Sequence, residues 1–242
     1  MLFRSMTGIM MNLTNNVKQV TPVVLSGLQL YYDPSNSASY SGGSTINDLS
    51  GKGRNGVVGN SPTDAGNWLV LNGSQYVQTP NLISGWSGWQ HTIEMWLKPA
   101  AAGAGWLDTD YSNTTIGYRS TGQEFYSTGP FYLNNTMLWN GAVTRCGGGT
   151  VSLNNWYQVV RTYNGSNTSI AYQNGVAAPS TSITWTTPTA GWYITTGVSC
   201  VTYFATGAAY QGSLGIIRIY DRQLSGAEVL QNYNASKGIY GL

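Results

Sequence analysis

The sequence predicts an all-β sandwich or barrel of antiparallel strands, finished by one short helix. Three observations carry this expectation. Five Asn-Gly pairs, at 55–56, 72–73, 140–141, 164–165 and 174–175, punctuate the chain. Asn-Gly accepts positive φ at both central positions, as a type I′ hairpin turn requires. The stretches between them are short, rich in aromatic and β-branched residues, and free of intervening helical patterns. Only the closing segment carries a complete helix signature.

Residues 1–22 show no steady period and read as an arm or attachment segment; 23–242 read as the folded domain. "LQLYYD" (28–33) is the first strand candidate. "PSNSASYSGGST" is loop by composition, and "NDLSGKGRNG" (47–56) is a turn cluster. "NWLVLNG" follows. In "HTIEMWLKP", Ile93, Met95 and Leu97 fall on one face and Glu94, Trp96 and Lys98 on the other. "NNWYQVVRTYNG" and "TSIAYQNG" are further strands ending on Asn-Gly. At the end, Ser225 and Glu228 make a capping box, and Leu224 and Val229 a hydrophobic staple. Val229, Leu230 and Tyr233 are expected on one helix face, packed across the end of the sandwich, with Gly238 as the stop.

The chain has 242 residues, enough for one large β domain or two small ones. Charged residues make up 8%, against about 25% in an average domain. Polarity must come from Ser, Thr, Asn, Gln and Gly, as in turn-rich or densely assembled proteins. With a net charge of +2 and no Lys/Arg cluster, no footprint for nucleic acid is visible. No apolar run reaches the roughly 20 residues of a membrane span, and the N-terminus lacks the apolar core of a secretion signal. Cys146 and Cys200 could form a disulfide, with two free thiols the favoured reading; neither has a CxxC partner for zinc.

Catalytic chemistry finds little support. The strand "HTIEMWLKP" has a single acid, Glu94. Asp108 and Asp110 are two apart, so on a strand they would share a face, but a turn or solvated loop is the plainer reading. Glycoside hydrolysis needs two facing carboxyls. Calcium binding by Asp108 and Asp110 is the next reading; it needs several oxygen ligands, and no motif here supplies them. His91, the only histidine, reads as a half-exposed residue at a strand edge. "CGGGT" (146–150) lacks the Lys-Ser/Thr of a phosphate loop. Aromatics are abundant, with 9 Trp and 17 Tyr. Trp96 and Trp156 sit on strands and are expected in the core or between sheets. Trp86, Trp89, Trp106, Tyr111 and Trp139 fall in expected loops beside polar residues. With Asp108 and Asp110 they form the candidate glycan-binding set; an oligomer interface uses such aromatics too.

Five segments, taken in order, resemble a known family. "GLQLYYDPSNSASYSGGSTINDLSGKGRNGVVGNSPT" resembles the opening of laminin-G-like, concanavalin A-like domains of tailed-phage virion proteins. "TIEMWLKP", "NNWYQVVRTYNG" and "IAYQNGV" look like three of its strands. "IIRIYDRQLSGAEVLQNYNASKGIYG" is similar to its last strand and C-terminal helix. The resemblance covers about 26–242. Asn47, where an aromatic is usual, and Pro34, where Ala is more common, depart from the pattern. The resemblance implies an antiparallel two-sheet jelly-roll and a non-enzymatic virion structural role: capsid decoration or a head or tail fibre. It implies binding to neighbouring virion proteins, as a homo-oligomer such as a trimer, without cofactor. The family's glycan-binding members imply the alternative, a lectin-like module for host-surface glycans.

Overall fold

A computed structural model describes residues 21–82, 90–101, 105–111, 119–126, 132–139, 142–178, 181–182, 193–197 and 210–242; strands between 105 and 150, and 181–182, are described through their backbone. In chain order the strands are β1 (Leu28–Tyr32), β2 (Thr45–Ile46), β3 (Gly56–Gly59), β4 (Thr63–Asp64), β5 (Leu69–Asn72) and β6 (Tyr76–Gln78). Then come β7 (His91–Pro99), β8 (Gly105–Tyr111), β9 (Arg119–Tyr126), β10 (Tyr132–Trp139), β11 (Ala142–Thr150) and β12 (Tyr157–Tyr163). β13 (Thr168–Gln173), β14 (Val176–Ala177), β15 (Thr181–Ser182), β16 (Tyr193–Thr196) and β17 (Gln211–Tyr220) follow. Helix α1 (Gly226–Ser236) and a 3-10 turn (Lys237–Tyr240) end the chain.

Two antiparallel sheets result, as the sequence predicts. The first runs β14-β13-β12-β7-β17-β5-β4, with β1 paired to β17 and β15 to β13; the second runs β11-β10-β9-β8-β16-β6-β3-β2. Between them lies the main core. Ile93, Met95 and Leu97 of β7 meet Val159, Ile217 and Ile219 from flanking strands and Val58, Val77 and Ile194 from the second sheet. The chain closes on itself: β17 lies between β7 and β5, and its C-terminal half also pairs with β1, Leu28 opposite Tyr220.

The expected alternation of β7 into an inner and an outer face is present, but both faces are buried. Thr92, Glu94 and Trp96 are as inaccessible as Ile93 and Met95. A central strand covered on both sides is buried throughout, and the cover here is α1 with its 3-10 turn. That segment therefore packs on the outer face of the first sheet, not across the end of the sandwich. Val229 fills a cluster with Val160, Tyr172, Tyr220 and Leu224. Trp96 stacks on Tyr240 at 4.4 Å and on Tyr233 at 5.7 Å, and Trp156 approaches Tyr240 at 4.4 Å. These two tryptophans thus pack outside the first sheet rather than between the sheets, and Trp156 precedes β12 by one residue.

The capping box forms as expected. The Glu228 amide donates to Ser225 Oγ, and the Ser225 amide donates to the Glu228 carboxylate. Two local expectations are corrected. Leu230 is 45% exposed and lies against Gly175 in the turn after β13, outside the cluster that Val229 fills. Gly238 falls inside the 3-10 turn, and the stop is Gly241, at φ 75°. His91 is likewise corrected: it is the first residue of β7, fully buried, with its ring 5.5 Å from that of Tyr163. Its register partner on β12 is Tyr163, so a central strand position, not an edge, holds it.

The "NDLSG" turn is a rigid corner. Asp48 accepts hydrogen bonds from the amides of Tyr31, Ser50 and Arg54 and from Ser50 Oγ. The chain from Pro22 onward belongs to the fold: Gln231 donates to the Pro22 carbonyl and the Val24 amide to Asn232 Oδ1. Residues 1–20 of the expected arm lie outside the described residues.

Candidate functional site

The acid most exposed to suspicion in the sequence, Glu94, is structural. It is 1% exposed and sits beneath α1. Oε1 accepts from Arg218 at 2.8 Å, Gln158 at 3.0 Å and the Trp96 indole at 3.3 Å; Oε2 accepts from Asn232 at 2.8 Å. Arg218 also donates to Ser236 Oγ at 2.7 Å and lies 4.7 Å above the Tyr31 ring. Burial works against the Arg218 charge; Glu94 and the tyrosines beside it outweigh burial and hold the guanidinium above its ordinary range. Four donors converge on the Glu94 carboxylate, three on Oε1 and one on Oε2, so this group bolts helix to sheet rather than waiting for substrate.

The second sheet carries the other candidates, and its register sorts them by face. Val58, Val77 and Thr196 belong to the core side. Their register row continues through Asp108, Gln123, Asn135 and Cys146. The neighbouring row runs Thr45, Val57, Gln78, Thr195, Thr109, Gly122, Thr136, Arg145. Thr45 and Val57 are exposed, so this row marks the outer side, which is covered at Thr195, 3% exposed. Residues two apart on a strand share a face. Glu124 and Tyr126 therefore lie on the outer side with Gly122, and so do their partners Trp106, Asn134 and Tyr132.

This divides the predicted set. Trp106 and Tyr111 take outer-side positions on β8, Tyr111 opposite Tyr193. Asp108 and Asp110 share a face, as a strand spacing requires, but it is the core side, opposite Thr196 and Ile194. Trp139 takes a core-side position on β10, four residues from Asn135. Trp106, Tyr111 and Trp139 are in strands, not loops, and Asp108 and Asp110 are in neither a turn nor a loop. The cause of the split is a bulge: the β8–β9 register shifts between Trp106 and Asp108, which transfers the following residues to the other side. Trp86 and Trp89 lie outside the described residues. So does Cys200, and with it any pairing to Cys146. Glu124, Tyr126, Tyr132 and Asn134 were missed from sequence. Their signal is that "GQEFY" and "YLNNT" each place an aromatic two residues from an acid or amide, the spacing of one strand face.

The inner side of the first sheet carries polar residues on β12 and β13. Arg161 of β12 lies opposite Ile93 and Ala171, and Ser169 and Gln173 of β13 share its face. Arg161 and Ser169 are fully buried. Elsewhere, a groove of about 500 Å³ runs along Leu25, Gly27, Gln29, Lys52 and Arg222. Of its polar lining, Gln29 donates to Asp221, and Arg222 pairs with Glu228 outside the groove at 2.6 Å. Among the described residues no group of three or more His, Cys, Asp or Glu could hold a metal ion, and no helix is long and apolar enough to cross a membrane.

An antiparallel two-sheet sandwich is the architecture of lectin-type and glucanase-type domains. The chain belongs to the concanavalin A-like lectin/glucanases superfamily, whose Laminin_G_3 family model matches residues 71–230. Among solved structures it is similar to the Trypanosoma rangeli sialidase in complex with sialic acid, at TM-score 0.67 and 16% identity, covering 89% of this chain and 34% of the sialidase. The chain thus spans about a third of that enzyme's length. It is similar to domain 4 of AbnA, a GH43 extracellular arabinanase from Geobacillus stearothermophilus, in complex with arabinotriose: TM-score 0.61, 14% identity, covering 86% of this chain and 98% of that domain. A heptameric SAP-like pentraxin from Limulus polyphemus is also similar, at TM-score 0.54 and 16% identity, covering 66% and 78%. These identities show a shared fold. No curated protein sequence matches the chain.

Proposed function

We propose that the chain is a non-catalytic carbohydrate-binding module. The observation that carries this is the outer-side strip of β8, β9 and β10: Trp106, Glu124 and Asn134 in one cross-strand row, with Tyr126 and Tyr132 in the next. Aromatic rings offer flat apolar faces to sugar rings, and an acid and an amide beside them suit the hydroxyls. Hydrolysis calls for two carboxyls flanking one bond. The strip holds one acid position, Glu124, and Glu94 is committed to Arg218 on the far side of the first sheet. The similarity to sugar-complexed domains supports the reading as a likeness of fold. Binding of the full chain to a glycan array, followed by titration of the best glycan, tests it. Trp106→Ala should weaken binding at least about tenfold, the loss of one aromatic contact. An unbound array, or unchanged affinity in that variant, would sink the proposal.

A second reading places the domain on a virion, as a capsid decoration or fibre component held by residues 1–22 and assembled as a homo-oligomer. It is favoured by the closing segment, whose similarity to phage virion proteins is the most specific in the sequence. The two readings are compatible, since a virion surface module can also bind host glycans. Neither needs a cofactor.

A further inference from the structure

We propose a second, internal site: an oxyanion pocket between the inner side of β12–β13 and the glycine run of β11, built on Arg161 and Ser169, that takes a carboxylate. It stands apart from the outer-side strip and does not depend on it.

Arg161 is fully buried, and none of its three guanidinium nitrogens has a hydrogen-bond partner among the described residues. Ser169 Oγ, also fully buried, is in the same condition. Both belong to one face: Arg161 lies opposite Ala171, two residues along β13 from Ser169. The contrast with Arg218 is direct. Arg218, equally buried, has Glu94 and Ser236 at hydrogen-bond distance. A buried guanidinium without a counter-charge is strongly unfavourable, so an anion is the missing partner.

The protein's own carboxylates with described side chains are engaged elsewhere. Those whose side chains are described, Asp33, Asp48, Asp64, Glu94, Asp221 and Glu228, all accept hydrogen bonds elsewhere. Asp108 and Asp110 take core-side positions on β8, opposite Thr196 and Ile194, and are the internal alternative that the variants below test. Glu124 takes an outer-side position.

The sequence leaves room at this point. β11 packs against β13 across the sandwich and carries Gly147, Gly148 and Gly149; Gly147 is opposite the outer-side Asn134, so the inward position falls to the glycines after it. This is the "GGG" that fits no phosphate loop. Entry requires little to move: beyond β13 the first sheet has only the two-residue strands β14 and β15. A planar carboxylate matches the guanidinium fork with two parallel hydrogen bonds, and the Ser169 hydroxyl supplies a third donor. A single negative charge balances the single positive one. A free organic acid or the acid group of a uronic-type sugar would supply the same chemistry.

The test is thermal unfolding of the full chain at constant ionic strength, in chloride, acetate, glucuronate or inorganic phosphate. Acetate or glucuronate at a hundredfold excess over its Kd should raise Tm by roughly 5 °C, and chloride and phosphate should not. A rise with glucuronate alone assigns the site to acidic sugars; a rise with both assigns it to small organic acids. Arg161→Met should raise Tm without ligand, by removing the unpaired charge, and abolish the carboxylate effect. Ser169→Ala should keep the fold and weaken binding about tenfold. The proposal is overturned if no carboxylate shifts the wild type, or if phosphate acts equally. It also fails if Arg161→Met lowers Tm and Asp108→Asn or Asp110→Asn lowers it by a matching amount, because Arg161 then pairs within the protein.

Discussion

Replacing Glu94 with Ala should be among the most damaging single changes in this fold. The substitution leaves Arg218 buried at 1% exposure with its charge unopposed. The other donors to Glu94 are less stranded. Asn232 keeps the Tyr220 hydroxyl at 2.9 Å, and Gln158 keeps the Val229 carbonyl at 3.5 Å. The dominant loss is thus the ion pair, and breaking a buried pair from one side costs about 3–5 kcal/mol. A domain stabilised by roughly 5–15 kcal/mol would lose a large part of its margin. Urea unfolding followed by tryptophan fluorescence measures it, because Trp96 lies inside the same layer. The double variant Glu94→Leu/Arg218→Met is the control. It removes both charges and should cost less than the single change, about 2 kcal/mol or under. If Glu94→Ala costs under about 1 kcal/mol, or the double variant is as unstable as the single, then the pair does not hold α1 to the sheet. The reasoning built on it would be wrong.

Two further outcomes are expected. The Arg222 guanidinium, with the Ser225 amide and hydroxyl, lowers the Glu228 pKa to about 2. A folded-state pKa below the unfolded one stabilises the protein above the unfolded carboxylate range, and the gain is lost as pH falls toward the folded value. The wild type should therefore lose stability between about pH 4.5 and pH 2, and Glu228→Gln should show a shallower loss in urea midpoints over that window; equal slopes would contradict it. For the virion reading, full-length protein added to particles lacking it should bind in fixed copy number, and protein without residues 1–20 should not. Equal binding of both would remove the arm from the account.

Much of the local structure is legible in the chain. The capping box of α1 is visible because Ser225 and Glu228 act on each other three residues apart. Of the Asn-Gly pairs, Gly73, Gly165 and Gly175 adopt positive φ, but only Asn174 joins its glycine there as a type I′ hairpin turn requires, and Gly56 instead opens β3. The inner row Ile93, Met95, Leu97 is visible from alternation alone. The end of the helix was not, since Gly238 and Gly241 differ only in which one the packing of Tyr240 against Trp96 allows to stop the turn.

The sequence by itself determined the β class, the hairpins, the capped closing helix and the family resemblance, because each rests on neighbours in the chain or on a sequence pattern. The tertiary structure alone decided which side every candidate residue occupies. Burial on both faces of β7 comes from α1, some 130 residues further on. The division of Trp106 from Asp108 and Asp110 comes from one bulge in the pairing of β8 with β9. Side chains alternate with a period of two, so a shift of one residue between strands exchanges core for solvent. That register is fixed by pairing across the sheet, which no local pattern in either strand encodes.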